Sequence, residues 1–352
     1  MKKILTFQEA LDQTEGVPRN LLLGNGFSIA CKPKIFTYSS LFSQADFSKN
    51  INLPYVFEAL GTQDFELAIN ALERASSLLP IYSAVDAATA AEMKRDAEAL
   101  KEILITTVTK NHPDGPFDIS DDEYSACRNF LANFIGEKSG KVFTLNYDLL
   151  LYWTVMHTEF ADGSRVDLAA RDGFGDDDPG SKEDYVVWQG EAGGARSSIF
   201  YLHGALHLFD AGNLLKKFTW NRTDVRLKKQ SWDAIKDGAL PVFVAEGSSA
   251  SKMAKINHSA YLHQAYRSFK SATTQTKSAF FVHGHSLADN DDHFLKLLSR
   301  GKFPALYVGL HGAPDSSSNE EIIKKARSIS AARNGPVLDV SFYDTASAAV
   351  WG

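Results

Sequence analysis

The chain has 352 residues, of which 44% are hydrophobic and 23% charged, a composition typical of a globular protein with a sizeable core. Its formal net charge of −6 disfavours a protein whose main role is to coat nucleic acid, because phosphate binding relies on clustered Lys and Arg. The only two cysteines, Cys31 and Cys127, exclude both a four-thiolate zinc site within the chain and a disulfide scaffold.

Short apolar runs predict seven β-strands that are buried on both faces, as in a parallel sheet. They span residues 20–23, 141–145, 198–202, 241–245, 279–282, 305–310 and 338–342. Helical patterns follow several of them, at residues 251–271, 291–299 and 319–332. This alternation predicts an α/β fold with a Rossmann-like, doubly wound parallel sheet of about six or seven strands.

Two segments interrupt the alternation within what we expect to be a single domain spanning residues 1–352. Between about residues 40 and 140 the pattern is almost entirely helical, at 64–79, 84–110 and 121–135, which predicts a helical insertion after the first strand. Residues 162–194 contain the stretches DGFGDDDPG and GEAGGA and predict a hairpin with a flexible loop.

The first candidate motif is Gly24-Asn25-Gly26-Phe27-Ser28, directly after the first strand. Glycines at a strand-to-helix turn let the backbone approach a pyrophosphate and direct its amides at the negative charge. A tight turn without any ligand explains the same residues equally well, because the third glycine of a dinucleotide-binding fingerprint is missing.

The second motif ends the strand at 141–145 and contains Thr144, Asn146 and Asp148. Polar side chains at the carboxyl ends of parallel strands face the crevice in which α/β sheets bind ligands. Asp148 is also placed to cap the following helix. Asn146 points more strongly to function, because a polar amide at the end of a buried strand needs partners.

The third motif is His203-Gly204 at the end of the strand at 198–202, followed by His207. A single histidine near a core is more often structural than catalytic. The position of His203 at a strand end favours a functional role, whereas His207 has the weaker case and is expected to cap or pack.

The fourth motif is Gly284-His285-Ser286 after the strand at 279–282, with Asp291 behind it. A strand that ends in glycine, then a small hydroxyl and an acidic helix start, is typical of a loop that faces a nucleotide. Asp291 has a simpler explanation too, because acidic residues favour a helix N-terminus through its dipole. Glu246, after the strand at 241–245, has a similar place and the same ambiguity.

The chain resembles the sirtuin-like nucleotide-binding superfamily in four segments that follow the same order, namely GNGFS, TLNYD, LHG and GHSL. The chain is most similar to a bacterial family of sirtuin-like proteins in which GNGFS, a DGF loop (here 172–174) and GHSLxxND occur together. The resemblance covers most of the chain and is least informative in the insertion and in residues 162–194.

The resemblance implies that NAD binds at these strand ends. Gly24, Gly26 and Ser28 would contact its phosphates, while Gly284 and Ser286 would line the adenosine side. The implied binding set also includes four flanking residues and one more strand-end residue: Asn25, Phe27, Thr144, His285 and Glu246.

The resemblance further implies that NAD is a substrate. Asn146 would hold the nicotinamide ribose hydroxyls or position water, Asp148 would orient that site, and His203 would be the general base. Related sirtuin-like domains in bacterial antiphage systems hydrolyse NAD with this Asn and His. The expected activity is therefore cleavage of the nicotinamide–ribose bond, as an NAD-depleting effector of antiphage defence.

The chain departs from the protein deacylases of the superfamily. It lacks their four-cysteine zinc module and their Pro-Asp-Phe-Arg segment, and it has Leu145 where they usually have Gln before the catalytic Asn. The NAD crevice is therefore expected, whereas the acyl-lysine channel is not.

Two other functions stay open. A module that binds NAD or ADP-ribose without cleaving it would share most of these residues. A metal-dependent phosphoesterase would use histidines near strand ends, such as His203, His207, His283, His285 and His293. We expect no metal, because no early Asp-x-His starts a two-metal cluster and because His203 and His207 need not share one face.

The expected location and partners follow from the same features. The N-terminus has no apolar stretch of signal-peptide length, and no segment approaches the ~20 apolar residues that span a bilayer. We therefore expect a cytoplasmic protein without a membrane partner or sequence-specific nucleic acid. An NAD-depleting activity needs restraint, which predicts a homo-oligomer or a regulatory protein partner.

Overall fold

A computed structural model describes residues 3–82, 87–160, 163–164, 167–175, 183, 185–190, 197–212, 214–219 and 225–352. Its strands are β1 (Arg19–Leu23), β2 (Val142–Thr144), β3 (Phe174–Gly175), β4 (Tyr185–Trp188), β5 (Ile199–Tyr201), β6 (Gly204–Asp210), β7 (Leu215–Phe218), β8 (Pro241–Phe243), β9 (Ala279–His283), β10 (Ala305–Leu310) and β11 (Asp339–Asp344). They form one six-stranded and one five-stranded sheet.

The six-stranded sheet is parallel throughout and has the order β11-β10-β9-β1-β2-β5. Counted along the chain, its strands lie in the order 3-2-1-4-5-6, which is the Rossmann order. All residues of β1 and β9 are buried, as expected for central strands covered on both faces. The predicted α/β fold with a Rossmann-like parallel sheet is confirmed.

Fourteen α-helices occur in the described residues. They are α1 (Phe7–Asp12), α2 (Gly26–Cys31), α3 (Pro33–Phe36), α4 (Tyr38–Gln44), α5 (Leu53–Leu60), α6 (Phe65–Tyr82), α7 (Ala87–Asn111), α8 (Asp121–Leu131), α9 (Leu150–Met156), α10 (Leu227–Lys236), α11 (Ser249–His258), α12 (Ala260–Thr273), α13 (Asp292–Arg300) and α14 (Ser317–Ala331). None of them is both long and apolar enough to cross a membrane.

The insertion between β1 and β2 is helical, as predicted. Its helices α6 and α7 pack against each other, and α8 begins with a capping box in which Ser120 and Glu123 satisfy each other's backbone amides. The helix predicted at 251–271 is instead two helices. Ser259 separates them, because its side chain accepts a hydrogen bond from Leu262 N and so starts α12.

The second sheet is the main feature that sequence patterns did not predict. Its order is β3-β4-β7-β6-β8, and all of its pairs are antiparallel. The prediction that residues 241–245 belong to the parallel sheet is therefore wrong, because β8 pairs with β6. Gly204 makes this possible: its φ is +82°, and a Cβ there would lie 1.8 Å from Val242 O.

Residues 162–194 contribute the antiparallel pair β3–β4, in which Phe174 lies opposite Trp188. The predicted hairpin agrees with this pairing. Most of the predicted loop, at 161–162, 165–166, 176–182, 184 and 191–196, lies outside the described residues.

Candidate functional site

A cavity of about 900 Å³ opens where the parallel strands end. The ends of β1, β2, β5 and β9 contribute Gly24, Asn146, His203 and Gly284 to its lining, and the helical insertion contributes Glu66. The strands β1 and β9 are neighbours whose onward connections run in opposite directions across the sheet. Ligands in open α/β sheets bind at such switch points, outside the carboxyl ends of the strands.

The glycine turn after β1 packs directly on the loop after β9. A Cβ on Gly24 would lie 2.6 Å from Gly284 O, and one on Gly26 would lie 2.6 Å from Gly284 Cα. Gly26 N also donates to Gly284 O at 2.8 Å. These glycines therefore allow two loops to touch at the switch point.

The backbone amides of the expected phosphate site make hydrogen bonds within the fold. The backbone amides of Gly24, Gly26, Phe27 and Ser28 all donate to backbone carbonyls. They are therefore already used within the fold, and the turn does not offer a row of free amides to a pyrophosphate. Asn25 is held as well, because its Nδ2 donates to Phe36 O at 3.0 Å.

Nine of the thirteen predicted site residues line the cavity. They are Gly24, Asn25, Gly26, Asn146, Asp148, His203, Gly284, His285 and Ser286. The other four lie behind the lining or elsewhere. Phe27 packs on Trp351 with ring centroids 5.0 Å apart, and Thr144 Oγ1 accepts a hydrogen bond from Asn146 N at 3.1 Å. Ser28 and Glu246 also lie outside the lining.

Asn146, Ser28 and Asp148 form a hydrogen-bonded group that we call the Asn146 cluster. Asn146 Nδ2 donates to Gly24 O at 3.1 Å and to Ser28 Oγ at 2.8 Å. Ser28 Oγ then donates to Asp148 Oδ2 at 2.5 Å. Burial raises the pKa of Asp148 above its ordinary value, although hydrogen bonds from Ser28 and Leu150 oppose the shift.

This arrangement orients the Asn146 amide. Both hydrogen bonds of its side chain use Nδ2, and Oδ1 has no hydrogen-bond partner among the described residues. Oδ1 is therefore the atom left to accept a hydrogen bond from a bound molecule, and a hydroxyl is the group that suits it.

His203 belongs to a second group, the His203 cluster, which also contains Asp291, His293, Lys252, His285 and Glu66. His203 Nε2 lies 3.3 Å from His293 Nε2 and 3.7 Å from Asp291 Oδ1. Burial, and then the nearby Lys252 ammonium, hold the pKa of His203 well below its ordinary value. Its imidazole is therefore neutral near pH 7, the form that accepts a proton.

Lys252 is the charged centre of the cluster, with a side chain that is 0% exposed. Its Nζ donates to Glu66 Oε2 at 2.7 Å and to Asp291 Oδ1 at 2.9 Å. Burial alone would lower the pKa of Lys252, but these two carboxylates outweigh it and raise that pKa above its ordinary value. Glu66 also accepts hydrogen bonds from Asn290 Nδ2 and Tyr147 OH.

The side chain of Asp291 contacts other members of the His203 cluster and does not cap the helix that follows it. It precedes α13 without a side-chain capping bond. Its Oδ2 instead lies 3.0 Å from His285 Nε2, while His285 Nδ1 accepts a hydrogen bond from Leu287 N at 2.9 Å. The proton of His285 must then be on Nε2, where it donates to Asp291. The explanation of Asp291 by the helix dipole is therefore incomplete.

A model of the family described as Domain of unknown function (DUF4917) matches residues 21–351. The chain belongs to this family. The match covers both clusters, the helical insertion and the second sheet. Among curated proteins, none matches the chain.

Three members of the His203 cluster have the geometry of metal ligands. One ligand atom each from His203, Asp291 and His293 lies within 4.8 Å of the others, and all three residues are buried. The prediction that the chain binds no metal stays a prediction, but its reason does not hold. Sequence spacing considered His203 with His207, whereas the fold brings His203 to His293.

His207 and Glu246 lie away from the cavity lining. His207 is fully buried between the rings of Tyr152 and Tyr201, in agreement with a packing role. Glu246 Oε1 pairs with Lys255 Nζ at 3.1 Å. Ser248, two residues later, caps α11 through a hydrogen bond from Ser251 N, so this loop starts a helix and does not line the cavity.

Sequence reasoning missed two members of the charged group, Glu66 and Lys252. Glu66 lies in the insertion, where Asp64 Oδ1 accepts a hydrogen bond from Glu66 N and so sets the start of α6. Lys252 lies on the polar pattern of α11 and carries no local signal. His293, two residues after Asp291, was considered only as a ligand in a metal-dependent phosphoesterase.

Proposed function

We propose that this protein binds NAD in the cavity at the switch point and hydrolyses its nicotinamide–ribose bond. The proposal rests on one observation: Asn146 and His203 follow the paired strands β2 and β5 and line the same cavity. A volume of about 900 Å³ lies within the range of ~300–1,000 Å³ that small-molecule and cofactor sites occupy.

Asn146 acts as the ribose-binding residue in this proposal. Its Nδ2 is engaged by Gly24 O and Ser28 Oγ, so the amide cannot rotate without losing two hydrogen bonds. Its Oδ1 then accepts a hydrogen bond from a ribose hydroxyl or from the attacking water. Positioning of this kind supplies much of the acceleration in well-oriented reactions.

His203 acts as the general base through Nδ1. That atom has no hydrogen-bond partner among the described residues, whereas Nε2 faces His293 and Asp291. With the His203 proton on Nε2, Nδ1 keeps its lone pair for a water proton. The imidazolium that forms lies 3.7 Å from the carboxylate of Asp291, which stabilises its charge.

The proposed reaction needs neither a metal ion nor an acid that protonates the leaving group. Water forms the new O–C bond at the anomeric carbon, and His203 takes one of its protons. The C–N bond breaks with its electron pair going to the pyridinium nitrogen, so nicotinamide leaves as a neutral molecule. No carboxylic acid has to protonate the leaving group, unlike in ordinary glycosidases.

Nicotinamide release from NAD by the purified chain tests the proposal. We expect turnover by the wild type, and loss of about 100-fold or more in kcat for Asn146→Ala and for His203→Ala. His258→Ala is the matched control, because His258 is exposed and lies on α11 away from the cavity lining. A folded wild type that releases no nicotinamide in EDTA would contradict cleavage.

Calorimetric titration with NAD separates cleavage from binding alone. A wild type that binds NAD but does not cleave it would support the regulatory-module alternative. The role in antiphage defence rests on family analogy. The expected oligomer or regulatory partner stays a prediction.

Metal-dependent phosphoester hydrolysis is a second candidate, favoured by the grouping of His203, Asp291 and His293. The two functions differ in their requirement for metal. The proposed NAD cleavage proceeds in EDTA, whereas phosphoesterase activity on a chromogenic phosphodiester would be lost there.

A further inference from the structure

We propose that His203, Asp291 and His293 form a binding site for a late first-row divalent transition-metal ion, such as Zn²⁺. A bound ion prevents His203 from acting as the general base. The binding site itself is independent of the proposed function. Its inhibitory effect rests on the proposed function, since it acts on the nitrogen of His203 that takes the proton.

The distances fit a tetrahedral ion. Two nitrogens that each lie ~2.0–2.1 Å from a tetrahedral Zn²⁺ are about 3.3 Å apart. The Nε2 atoms of His203 and His293 are separated by 3.3 Å. Asp291 Oδ1 is 3.7 Å from His203 Nε2, and one ligand atom from each of the three residues lies within 4.8 Å of the others.

The ligands are held in place before any ion arrives. His203, Asp291 and His293 are 2%, 7% and 7% exposed, respectively. His285 Nε2 donates to Asp291 Oδ2, and Ser249 Oγ lies 3.3 Å from His293 Nδ1. Hydrogen bonds of this type orient the ligands of metal sites and fix which ring nitrogen of a histidine faces the ion.

The ligand set leaves one coordination position open to the cavity. His203 and Asp291 both line the cavity, whereas His293 does not. Three protein ligands with a fourth position free for water are typical of accessible zinc sites, and two imidazoles with one carboxylate suit Zn²⁺, Co²⁺ or Ni²⁺ better than Ca²⁺ or Mg²⁺.

Lys252 is the main competitor for Asp291. Its ammonium takes one lone pair of Asp291 Oδ1 at 2.9 Å, but it also pairs with Glu66 at 2.7 Å. A single ammonium thus lies between two carboxylates. Asp291 Oδ1 keeps a second lone pair for an ion, and Glu66 balances the ammonium when the ion binds.

Metal binding and base catalysis exclude each other at His203. An imidazole that coordinates through Nε2 stays neutral only by carrying its proton on Nδ1. Nδ1 is the atom that accepts the water proton in the proposed reaction. A bound ion therefore converts the acceptor into an N–H donor, and NAD cleavage stops while NAD binding remains possible.

Direct metal binding is the first test. The EDTA-treated, desalted chain is titrated with Co²⁺, with d–d absorption as the readout, and Zn²⁺ stoichiometry is measured by atomic emission after gel filtration. We expect one ion per chain in the wild type and in His311→Ala, a cavity histidine outside the ligand set. For His293→Ala and His293→Gln we expect the metal affinity to fall by about 100-fold or more.

Folding of each variant is checked by near-UV circular dichroism. Sub-stoichiometric metal in the folded wild type would overturn the proposal, as would equal affinity in the wild type and both His293 variants. Two variants are used so that misfolding of one does not decide the result.

Nicotinamide release with and without Zn²⁺ tests the consequence. We expect the wild type to be active in EDTA and to lose activity in proportion to bound ion, while the remaining activity of His293→Gln resists the same Zn²⁺ concentration. Activity in EDTA without metal binding overturns the metal site and leaves the proposed function standing. Stoichiometric metal binding by a wild type that releases no nicotinamide even in EDTA supports the site and overturns the proposed function.

Discussion

The Asn146 cluster and the His203 cluster line the same cavity but are built differently. The Asn146 cluster comes from two segments, the turn after β1 and the end of β2, and it is joined by hydrogen bonds around a single carboxyl, that of Asp148. The His203 cluster combines residues from the end of β5, from α6, from α11 and from the segment after β9, and ion pairs join it.

This difference has an energetic consequence. A buried ion pair that loses one partner leaves an uncompensated charge, which costs more than the loss of one hydrogen bond. The His203 cluster is therefore expected to be the more sensitive of the two to single substitutions. Three variants test this order, from the largest expected effect to the smallest.

Lys252→Met is expected to have the largest effect. It leaves Glu66 and Asp291 buried without their shared cation, which lowers the free energy of unfolding by ~3–5 kcal/mol in urea denaturation. Lys255→Met is the matched control on the same helix. Lys255 is 42% exposed and pairs with Glu246, so its replacement should change stability by at most ~1 kcal/mol.

Equal losses in the two lysine variants would show that the His203 cluster is not held by its charge. The His203 cluster would then not be more sensitive to single substitutions than the Asn146 cluster.

Ser28→Ala is expected to have an intermediate effect. The hydroxyl of Ser28 is buried, accepts a hydrogen bond from Asn146 and donates to the carboxylate of Asp148. Its removal should lower the free energy of unfolding by ~1.5–3 kcal/mol, because one bond involves a charged group. Ser43→Ala is the control, since the exposed Ser43 only donates to Ser40 O. Matching stabilities of these two variants would mean that the Asn146 cluster contributes little to the fold.

The smallest effect is expected from His112, which holds the chain beside Asp148. Its Nε2 accepts a hydrogen bond from Leu149 N at 2.9 Å, and burial lowers the pKa of His112 to about 3 from an ordinary 6.5. Since the unfolded chain binds the proton more readily, His112 destabilises the fold as the pH falls below 6.5. Between about pH 7.5 and 5.5 this amounts to ~1.4 kcal/mol.

Urea denaturation of the wild type and of His112→Gln over this pH range measures the loss of stability that His112 causes. Glutamine can accept from Leu149 N without titrating, so the variant should lose ~1.4 kcal/mol less than the wild type over the interval. Parallel pH profiles of the two proteins would contradict the assignment.

Local patterns were sufficient for much of the fold. The buried strands at the centre of the sheet appear as continuous apolar runs, and strong helix formers mark the insertion. The second sheet could not be predicted in the same way. The segments that became β6 and β7 lack a clear alternation, and β8 has the same apolar character as a parallel strand although Gly204 directs β6 alongside it.

The amino-acid sequence by itself determined which residues stand at the ends of the parallel strands, because strand burial and glycine turns leave local patterns. It thereby indicated Asn146, Asp148 and His203 as cavity residues. Only the tertiary structure decided that His293 meets His203, and that Lys252 joins Glu66 to Asp291. Glu66 and Lys252 are 186 positions apart in the sequence. Their contact depends on how helices pack across the strand ends, which local sequence patterns do not indicate.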